Sequence, residues 1–437
     1  MNKKTVALTT LGCKVNQSET ETMAGLFHEA GYETVPFEQA ADVYVINTCS
    51  VTSLSDRKSR QLIRRAHAQN ENAVIAAVGC YAELEADEVA ALPGVRVIIG
   101  SDGKKEIVEL VERAAKSAEM INRVGEAKAA TEFEDIALGK MPKRTRAFLK
   151  IEDGCQNFCS YCIIPYARGK VRSRTMPSIC REVKKLCAGG FREIVLTGIH
   201  LGLYGRDLSE EIGLAEVCRE VLSMTDIARL RLGSLESLEV TDELLTLLKT
   251  EPRLMPHLHL PLQSGSNEIL RAMNRRYTVE EYVAVLEKIR AAAPQISVST
   301  DVIVGFPGET EEHFQETLNF VKAQKFSRVH VFPFSPRRGT PAATMENQVP
   351  PSVKKSRVHR LQKTAKQTAA EFAAAYIGQE VEVLWESRVA DVTDGLTPNY
   401  LRVYTAADIP SGELERVRLT KLYADGLWGE TAENEVK

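Results

Sequence analysis

The 437-residue chain has no apolar run that approaches the roughly 20 residues of a membrane-spanning helix. Its first residues, MNKKTVALTTLGCK, contain only a short apolar stretch with no small-residue cleavage site after it, so we expect no signal peptide. Low-complexity segments are also missing. These absences predict a cytoplasmic protein without a membrane segment. Its ordinary composition, 44% hydrophobic and 26% charged, suits about two to four packed domains.

A strong excess of positive charge is missing as well, since the formal net charge is -3 at pH 7. Lysine and arginine are nevertheless gathered into four runs, at 57–65, 143–150, 168–174 and 354–366. A single run of this kind is more often a solvated helix face or loop than a phosphate site. The position of these runs relative to the cysteines favours a nucleic-acid partner more than the net charge does.

Four short apolar runs alternate with amphipathic stretches in the first hundred residues: TVALTTLG, DVYVINT, AVIAAVG and VRVIIG. This rhythm predicts a parallel sheet covered by helices, in a first domain over 1–115. Ser18 and Glu21 have the spacing of a capping box, which predicts the start of the first helix, and Gly31 predicts its end. A charged stretch with weak periodicity, 116–140, is predicted to be a linker.

A second α/β rhythm contains six strand candidates: RAFLKIE, EIVLTG, ARLRLGS, PHLHLPL, ISVSTDVIVG and RVHVFPF. Six βα units are fewer than the eight of a closed barrel, so we expect a partial barrel over 141–370. Beyond Gly378, the runs EVEVLWE, YLRVYT and ERVRLTKLY predict a small antiparallel β-barrel over 373–437. The predicted fold class is therefore α/β with a small β domain at the end.

Nine cysteines in a reducing compartment indicate metal or redox chemistry rather than disulfides. Cys155, Cys159 and Cys162 have C-x3-C-x2-C spacing, directly after the first strand of the second domain. Three thiolates at this spacing can hold three irons of a 4Fe-4S cube and leave the fourth iron open. Zinc is the alternative, but a tetrahedral site requires a fourth Cys or His, and none follows closely.

A second set of cysteines directly follows predicted strands: Cys13 in TLGC, Cys49 in INTC and Cys80 in AVGC. In a parallel sheet these positions lie at one edge, where α/β folds bind their ligands. A single cysteine at a strand end is more often a small buried hydrophobe. The threefold repetition favours a second cluster with an open iron. The other cysteines lie on predicted helices and are expected in the core: Cys180, Cys187 and Cys218.

These features resemble the radical S-adenosylmethionine (SAM) methylthiotransferases over essentially the whole chain. The loop GCQNFCSYC, with Tyr161 before its last cysteine, is similar to the radical SAM signature. The upstream cysteines and the small barrel are similar to the family's N-terminal methylthiotransferase domain and its TRAM domain. The resemblance implies two 4Fe-4S clusters, one that reduces SAM and an auxiliary one, held respectively by Cys155, Cys159 and Cys162 and by Cys13, Cys49 and Cys80.

The resemblance also implies residues that line the SAM site: Tyr161, Thr197, Gly198, Ser234, Glu236, His259, Gln263, Ser264, Asp301 and Gly305. Most lie at predicted strand ends, where polar groups face a barrel mouth, although Gly and Ser there often only form turns. Seven further residues are expected to contact RNA phosphates and bases: Arg168, Arg172, Arg402, Tyr404, Arg416, Arg418 and Lys421. No side chain is expected to act as a catalytic acid or base.

Three branches of this family act on N6-isopentenyladenosine in tRNA, on N6-threonylcarbamoyladenosine in tRNA, and on an aspartate of ribosomal protein S12. The segments LGCKVNQSE, VINTCSVT, RKSRQLIRR and CSYCIIPYARG are most similar to the second branch. Lys14 also stands where the S12 branch has Pro. The expected reaction is therefore methylthiolation of carbon 2 of N6-threonylcarbamoyladenosine at position 37, next to the anticodon of tRNA.

The low potential needed to reduce SAM implies a flavodoxin-like electron donor, and the sulfur source is left open. The other two substrates of the family are alternatives. A non-catalytic RNA-binding protein with structural zinc is the alternative from another class. We also expect that removal of 373–437 weakens tRNA binding and leaves reductive SAM cleavage intact.

Overall fold

The computed structural model describes residues 3–117, 119–125, 130–139, 145–210 and 212–431. The first domain is a parallel sheet with strand order β2-β1-β3-β4-β5-β6, which confirms the predicted parallel sheet. Its strands are β1 (Thr5–Thr10), β2 (Glu33–Thr34), β3 (Val43–Thr48), β4 (Val74–Gly79), β5 (Val95–Ile99) and β6 (Ile121–Arg123). Its helices are α1 (Lys14–Glu29), α2 (Ser53–Gln69), α3 (Cys80–Leu84), α4 (Ala86–Ala90) and α5 (Ile107–Lys116).

The central strands β3 and β4 are buried over their whole lengths, because helices cover both faces of the sheet. On one face, Phe27 of α1 and Ile107 of α5 pack with Val45. On the other face, Ile63 of α2 packs with Ile46. Alternate residues of one strand therefore serve two separate cores, and the strand ends are held in place from both sides.

Two sequence predictions in this domain are wrong. Helix α1 begins at Lys14 with Cys13 as its N-cap, not at Ser18, which lies buried within the helix. There the hydroxyl of Ser18 accepts the backbone N–H of Lys150 at 3.3 Å, a tertiary contact that the capping pattern could not reveal. The predicted linker is also partly strand, because β6 extends the sheet within 116–140.

The second domain contains two parallel three-stranded sheets, β11-β10-β7 and β12-β13-β14. Parallel bridges between Leu230 and Leu254 and between Ser234 and His259 join them into the predicted open six-stranded barrel. Its strands are β7 (Arg146–Lys150), β10 (Glu193–Thr197), β11 (Arg229–Leu232), β12 (His257–His259), β13 (Ser297–Val304) and β14 (Arg328–Pro333). A short antiparallel pair, β8 (Glu152–Asp153) and β9 (Arg172–Ser173), flanks the cysteine loop.

The helices of this domain cover the outside of the open barrel. They are α6 (Ile164–Arg168), α7 (Met176–Ala188), α8 (Leu214–Met224), α9 (Asp242–Thr250), α10 (Asn267–Ala272), α11 (Val279–Ala292), α12 (Glu311–Gln324) and α13 (Pro351–Ala374). Cys180 and Cys218 are buried in the core between helices and strands, and Cys187 packs against that core, as predicted. None of the helices in the described ranges combines the length and apolar character that a membrane crossing needs.

The third domain is a closed five-stranded barrel with order β15-β16-β17-β19-β18, which confirms the predicted small β-barrel. Its strands are β15 (Glu380–Val389), β16 (Val392–Leu396), β17 (Arg402–Thr405), β18 (Leu414–Tyr423) and β19 (Gly426–Glu430). The pairing is antiparallel except between β17 and β19, which closes the barrel with a parallel pair. Trp385, Val403 and Leu427 fill its interior.

A turn of this small barrel seals the end of the second domain at which the strands begin. Arg229 and Arg231 on β11 are 1% and 0% exposed, and donate to the main-chain oxygens of Leu396 and Pro398 at 2.8 and 2.9 Å. The ring of Tyr400 lies 4.5 Å from the guanidinium carbon of Arg231. Removing 373–437 would leave both buried cations without these partners. We therefore expect such a truncation to destabilise the second domain, and the sparing of SAM cleavage stays a prediction.

Candidate active site

The auxiliary cysteines lie where three neighbouring strands end. Cys13 follows β1, Cys49 follows β3 and Cys80 is the first residue of α3 after β4. A Cβ atom at Gly12, whose φ is +101°, would lie 2.8 Å from the Cys49 sulfur. Glycine is therefore required for the close approach of these two segments. The sheet topology brings together residues that are far apart in sequence, as predicted.

The electrostatic surroundings make it costly for these three thiols to ionise together. Burial raises the pKa of Cys13 and Cys49, that of Cys49 to about 12, and the neighbouring Cys80 adds repulsion between thiolates. The guanidinium of Arg168 acts in the opposite direction on Cys13, and its Nε donates to the Cys80 sulfur at 3.4 Å. Three thiolates require further positive charge to coexist here, and the irons of a cluster would provide it.

The second cysteine set lies in the loop between β8 and α6. The Cys155 sulfur is 3.5 Å from Nδ1 of His200, and the Cys159 sulfur accepts a hydrogen bond from Nη1 of Arg275 at 3.4 Å. Burial and the two neighbouring thiols raise the pKa of Cys162 to about 12. The donor set is again three thiols that repel one another when ionised.

Sulfur spacing distinguishes a cluster from a single zinc ion. At Zn–S distances of about 2.3 Å, the sulfurs of a tetrahedral site lie roughly 3.8 Å apart. Among the described residues, the one group of three metal-ligating side chains whose ligand atoms lie mutually within 4.8 Å is His259, Asp301 and His330. Neither cysteine triad meets that limit, so the donors fit a multi-iron cluster better than mononuclear zinc.

A cavity of about 190 Å³ lies between Cys162 and the segment that follows Cys49. Val51 and Thr52, just after Cys49, line one side, and Cys162 with its neighbours lines another. The third side is formed by residues in and next to β13 and β14, among them Asp301, Ile303 and Phe332. A molecule in this cavity would therefore contact the segments that carry both cysteine sets.

Among the predicted SAM-site residues, the structure places Tyr161, Gln263 and Asp301 in the lining of this cavity. Gln263 has a left-handed backbone with φ +65°, which is costly for a residue other than glycine. Two hydrogen bonds to β13 hold it there: its N–H donates to Asp301 O at 2.8 Å, and its oxygen accepts from Ile303 N at 2.9 Å. Such stored strain is typical of functional positions.

The other predicted SAM-site residues do not line the cavity. They lie at or just after strand ends, as the pattern predicted: Thr197, Gly198, Ser234 and His259. Glu236 forms an ion pair with Arg275.

Two of the predicted residues face structural partners instead. The hydroxyl of Ser264 lies 3.3 Å from that of Thr317 on α12, and the N–H of Gly305 donates to Glu309 at 2.9 Å. These contacts within the protein account for a polar residue at 264 and a glycine at 305, so neither position requires a ligand.

The predicted RNA contact of Arg168 and Arg172 is wrong. Both are withdrawn from solvent, with exposures of 0% and 2%. Arg168 pairs with Glu19 at 2.6 Å and with Asp153 at 3.1 Å, and Arg172 lies 3.6 Å from Asp153. Arg168 therefore joins the first two domains, and neither arginine is available to an RNA surface.

The remaining predicted RNA residues lie on the small barrel. Arg416 and Lys421 are exposed. Arg418 is also exposed and lies 3.0 Å from Glu380. Arg402 is paired with Asp394, and the Tyr404 hydroxyl donates to Asp425.

Three residues near the cysteine loop were not found from the sequence. Arg275 is buried by its partners and donates to Cys159. His200 lies 2.6 Å from Glu239; burial alone would lower the pKa of His200, but its bonds to Cys155 and Glu239 raise it to about 10. Glu152 accepts the backbone N–H of His200 at 2.7 Å, and burial raises its pKa to about 8. No local pattern marks these residues, since each reaches the loop through the tertiary fold.

Comparison with known proteins is consistent with this geometry. The model of the Uncharacterized protein family UPF0004 matches residues 5–100, and that of the Radical SAM superfamily matches residues 149–321. The Threonylcarbamoyladenosine tRNA methylthiotransferase MtaB of Bacillus subtilis is 43% identical over 99% of this chain and 98% of its own. The chain belongs to the radical SAM methylthiotransferase family.

Other members of the methylthiotransferase family match over similar lengths. The MtaB protein of Thermotoga maritima is 39% identical over 97% of this chain and 96% of its own. The tRNA-2-methylthio-N(6)-dimethylallyladenosine synthase of Moorella thermoacetica is 36% identical over 98% of both chains. The family predicted from the sequence is thus confirmed.

Solved structures of more distant enzymes share the fold of this methylthiotransferase. The radical SAM methyltransferase TsrM from Kitasatospora setae has a TM-score of 0.56 at 16% identity, covering 78% of this chain and 74% of that chain. The cobalamin-dependent SAM radical enzyme OxsB has a TM-score of 0.51 at 12% identity, covering 83% of this chain and 56% of that chain. At these identities the likeness concerns the fold alone.

Proposed function

We propose that the protein attaches a methylthio group to carbon 2 of N6-threonylcarbamoyladenosine at position 37 of tRNA. The observation that carries this proposal is the cavity lined by Cys162 of one cysteine set and by Val51 and Thr52, which follow Cys49 of the other set. A base in this cavity would meet a radical source on one side and a sulfur carrier on the other. A single radical cluster would explain neither the second thiol triad nor its position.

The choice of substrate branch rests on similarity. Three relatives named as threonylcarbamoyladenosine enzymes are 43%, 39% and 41% identical to this chain. Relatives named as dimethylallyladenosine enzymes reach 36% and 37% at comparable coverage of this chain. These differences favour the threonylcarbamoyl substrate. Methylthiolation of the dimethylallyl base is the second candidate.

Two 4Fe-4S clusters and SAM would supply the electron, the carbon-centred radical that removes hydrogen from the base, the sulfur and the methyl group. Cys155, Cys159 and Cys162 would hold the cluster that reduces SAM. Cys13, Cys49 and Cys80 would hold the auxiliary cluster. With three protein ligands each, both clusters would keep one iron accessible to a small ligand.

The residues around the clusters have positioning roles in this proposal. Arg275 and Arg168 each donate to one cysteine sulfur, and such hydrogen bonds shift a cluster's reduction potential. Tyr161 and Phe332 are aromatic members of the cavity lining and would exclude water from a reactive radical. The protein's contribution is thus to bind, orient and shield, without an acid or base side chain.

The proposed macromolecular partner is the anticodon stem-loop of tRNA. The exposed side chains of Arg416, Arg418 and Lys421 on β18 are suited to phosphate contact. A flavodoxin-like protein is the proposed electron donor. The sulfur source is not assigned. Action on cytoplasmic tRNA accords with the predicted cytoplasmic location.

The decisive experiment is nucleoside analysis of tRNA by mass spectrometry from a strain that lacks this protein. We expect 2-methylthio-N6-threonylcarbamoyladenosine to disappear and N6-threonylcarbamoyladenosine to accumulate. Loss of the methylthiolated isopentenyl nucleoside instead would move the protein to the second candidate. Unchanged nucleosides, together with fewer than about eight irons per reconstituted chain, would contradict the two-cluster reaction.

A further inference from the structure

The loop that carries Cys155, Cys159 and Cys162 presents one side to the cavity and another to solvent. Tyr161 and Cys162 line the cavity. Phe158, one residue before Cys159, does not belong to that lining and is 47% exposed. A single exposed apolar residue is normal on a protein surface and needs no explanation by itself. The conformation of Phe158 and the charges around it give this ring a different meaning.

The Phe158 ring is fixed at the surface by its own backbone and by its neighbours. Its φ angle is +46°, a left-handed conformation that is costly for a bulky residue. Nδ2 of Asn274 stabilises this turn by donating to the carbonyl oxygens of Phe158 at 3.0 Å and of Asn157 at 3.4 Å. The ring packs edge-on against Tyr166, with 5.6 Å between the centroids. The outward position of the ring is therefore built into the loop.

The segment after α10 packs directly on the cysteine loop. Oγ of Ser160 donates to the main-chain oxygen of Ala272 at 2.8 Å, and Nη1 of Arg275 donates to a cysteine sulfur of the loop at 3.4 Å. On either side of this contact lie two exposed arginines, Arg271 and Arg276. The contact thus brings two surface cations next to the loop.

The segment after α6 packs on the other end of the loop. The backbone N–H of Cys155 donates to the main-chain oxygen of Gly169 at 3.1 Å, and the next residue, Lys170, is exposed. A Cβ atom at Gly154 would lie 1.9 Å from the main-chain oxygen of Lys170. Glycine at 154 is therefore required for this close approach, which holds a third surface cation beside the loop.

The exposed cations beside the cysteine loop are not neutralised: Lys170, Arg271 and Arg276. None of them forms an ion pair or a side-chain hydrogen bond with any residue that the structure describes. The sequence contains no acidic residue in 154–181 or in 269–279. Glu268, the acidic residue of α10, is engaged by Nε2 of His313 at 2.5 Å. The exposed ring therefore lies among uncompensated positive charges.

We propose that Phe158 and these three cations form the docking surface for an acidic electron-carrier protein, which reduces the cluster held by Cys155, Cys159 and Cys162. This inference rests on the proposed function and locates the contact for its electron donor. In the step, the carrier loses one electron and the cluster gains it, and no atom is transferred. An aromatic anchor supplies contact area, and the surrounding cations attract a partner of opposite charge.

RNA is the other macromolecule that binds exposed rings and cations. The position of Phe158 argues against it. The target base has to reach the cavity, which is lined by Tyr161 and Cys162, whereas Phe158 is on the solvent side of the same loop. An electron can enter from the solvent side, because the loop itself carries the ligands of the cluster.

The first arm of the test compares two reductants in SAM cleavage by the reconstituted full-length protein. One is an acidic flavodoxin kept reduced by its reductase, and the other is reduced methyl viologen, a small cation that needs no docking surface. In the double variant Lys170→Glu/Arg271→Glu, the flavodoxin-driven rate at low salt should fall by at least about tenfold, the usual scale for losing electrostatic steering. The viologen-driven rate should not change.

Unchanged flavodoxin-driven cleavage in this double variant would overturn the inference. So would an equal loss with both reductants at full iron content, because the cations would then act on the cluster and not on a partner. The absence of viologen-driven cleavage in the wild type would instead contradict the proposed function. The matched control is Lys249→Glu/Lys288→Glu, which reverses two exposed lysines towards the carboxyl ends of α9 and α11.

A second readout does not depend on turnover. The Kd for the same flavodoxin is measured without SAM at low and high salt. The wild-type affinity should weaken as salt screens the charges, and the double variant should bind weakly at both salt concentrations. Equal affinities of the wild type and the double variant at low salt would overturn the inference.

The third arm tests the ring with Phe158→Asn, because asparagine tolerates a left-handed backbone better than most residues. Flavodoxin-driven cleavage should fall and viologen-driven cleavage should persist. Iron is counted first, since Phe158 adjoins Cys159; if this variant lacks iron, the double variant decides. A lower tRNA affinity in Phe158→Asn and in the double variant, with flavodoxin-driven cleavage retained, would assign the surface to RNA and overturn the inference.

Discussion

Each of the two cysteine sites offers three thiols, but one site comes from a single loop and the other from three separate strand ends. The radical site lies in one loop, with its cysteines at 155, 159 and 162. The auxiliary site is assembled from three strand ends, with cysteines at 13, 49 and 80, and exists only when β1, β3 and β4 are paired. A loop can bind metal before the domain is complete, whereas the strand-end site depends on the finished sheet.

The two sites also differ in the arginine that donates a hydrogen bond to a cysteine sulfur. Arg275 donates to Cys159 and pairs with Glu236, so its contacts stay within the second domain. Arg168 donates to Cys80 of the first domain while pairing with Asp153 of the second. The arginine at the auxiliary site thus bridges the two domains, whereas the arginine at the radical site stays within its own domain.

Cysteine substitution gives the largest expected effect and tests this comparison directly. Cys155→Ala should abolish both SAM cleavage and methylthiolation. Cys49→Ala should abolish methylthiolation but retain SAM cleavage to 5'-deoxyadenosine. Each variant should hold about four irons instead of about eight, measured after anaerobic reconstitution. Loss of SAM cleavage in Cys49→Ala, with about four irons present, would show that the sites are not separable.

Substitution of the interface arginine should give the next largest effect. Arg168→Met leaves the buried carboxylates of Glu19 and Asp153 with one cation fewer, and breaking a buried pair costs about 3–5 kcal/mol. We expect a lower thermal midpoint and a weakened auxiliary cluster, measured by thermal unfolding and iron counts. The matched control is Arg416→Met, an exposed arginine on β18. If Arg168→Met instead kept its thermal midpoint and lost tRNA affinity, Arg168 would contact RNA after all, in spite of its burial.

Much of the fold was predictable because local sequence patterns determine the type and order of its strands and helices. Fully apolar runs such as VIAAVG predicted central strands of a parallel sheet, and six βα units predicted an open barrel. The grouping of Cys155, Cys159 and Cys162 in one loop was predictable from their spacing alone. The auxiliary cysteines required one further step, namely that the carboxyl ends of parallel strands meet.

Contacts between domains were not predictable in this way. Arg168 has the appearance of an RNA-binding residue in a basic run, but its partners Glu19 and Asp153 are distant in sequence. Tyr400 begins the predicted strand YLRVYT, but the observed strand starts at Arg402. The packing of Tyr400 against Arg231 in the barrel floor follows only from the assembled structure. An arginine in a basic run can be solvated in one fold and buried in an ion pair in another. The sequence alone does not distinguish these two cases.

A pH series sharpens the comparison at the radical site by testing Glu152. Burial raises its pKa from 4.5 to about 8, so the folded protein keeps a proton there that the unfolded chain releases. The stability from this group is complete below about pH 4.5 and is lost as pH rises towards 8. Between pH 6 and 8 the loss should be roughly 2 kcal/mol.

The measurement is the thermal midpoint of the reconstituted protein at pH 6 and pH 8. The wild-type midpoint should fall over this interval, and that of Glu152→Gln should fall less, because the amide does not ionise. Glu280→Gln, a change at an exposed position on α11, is the control. Identical pH dependence in the wild type and Glu152→Gln would contradict a protonated carboxyl beside His200.

The smallest expected effect concerns a surface that belongs to neither cysteine site. Replacing both Arg416 and Lys421 with serine removes two exposed cations from β18 without touching the turn that seals the barrel. We expect tRNA affinity to fall by about three- to tenfold, and the salt dependence of binding to flatten by up to about two units of slope. Iron content should match the wild type, because both cysteine sites lie in the other domains. A flattened slope with full iron content would place this barrel on the tRNA backbone, whereas an unchanged slope would assign the tRNA contact to the first two domains.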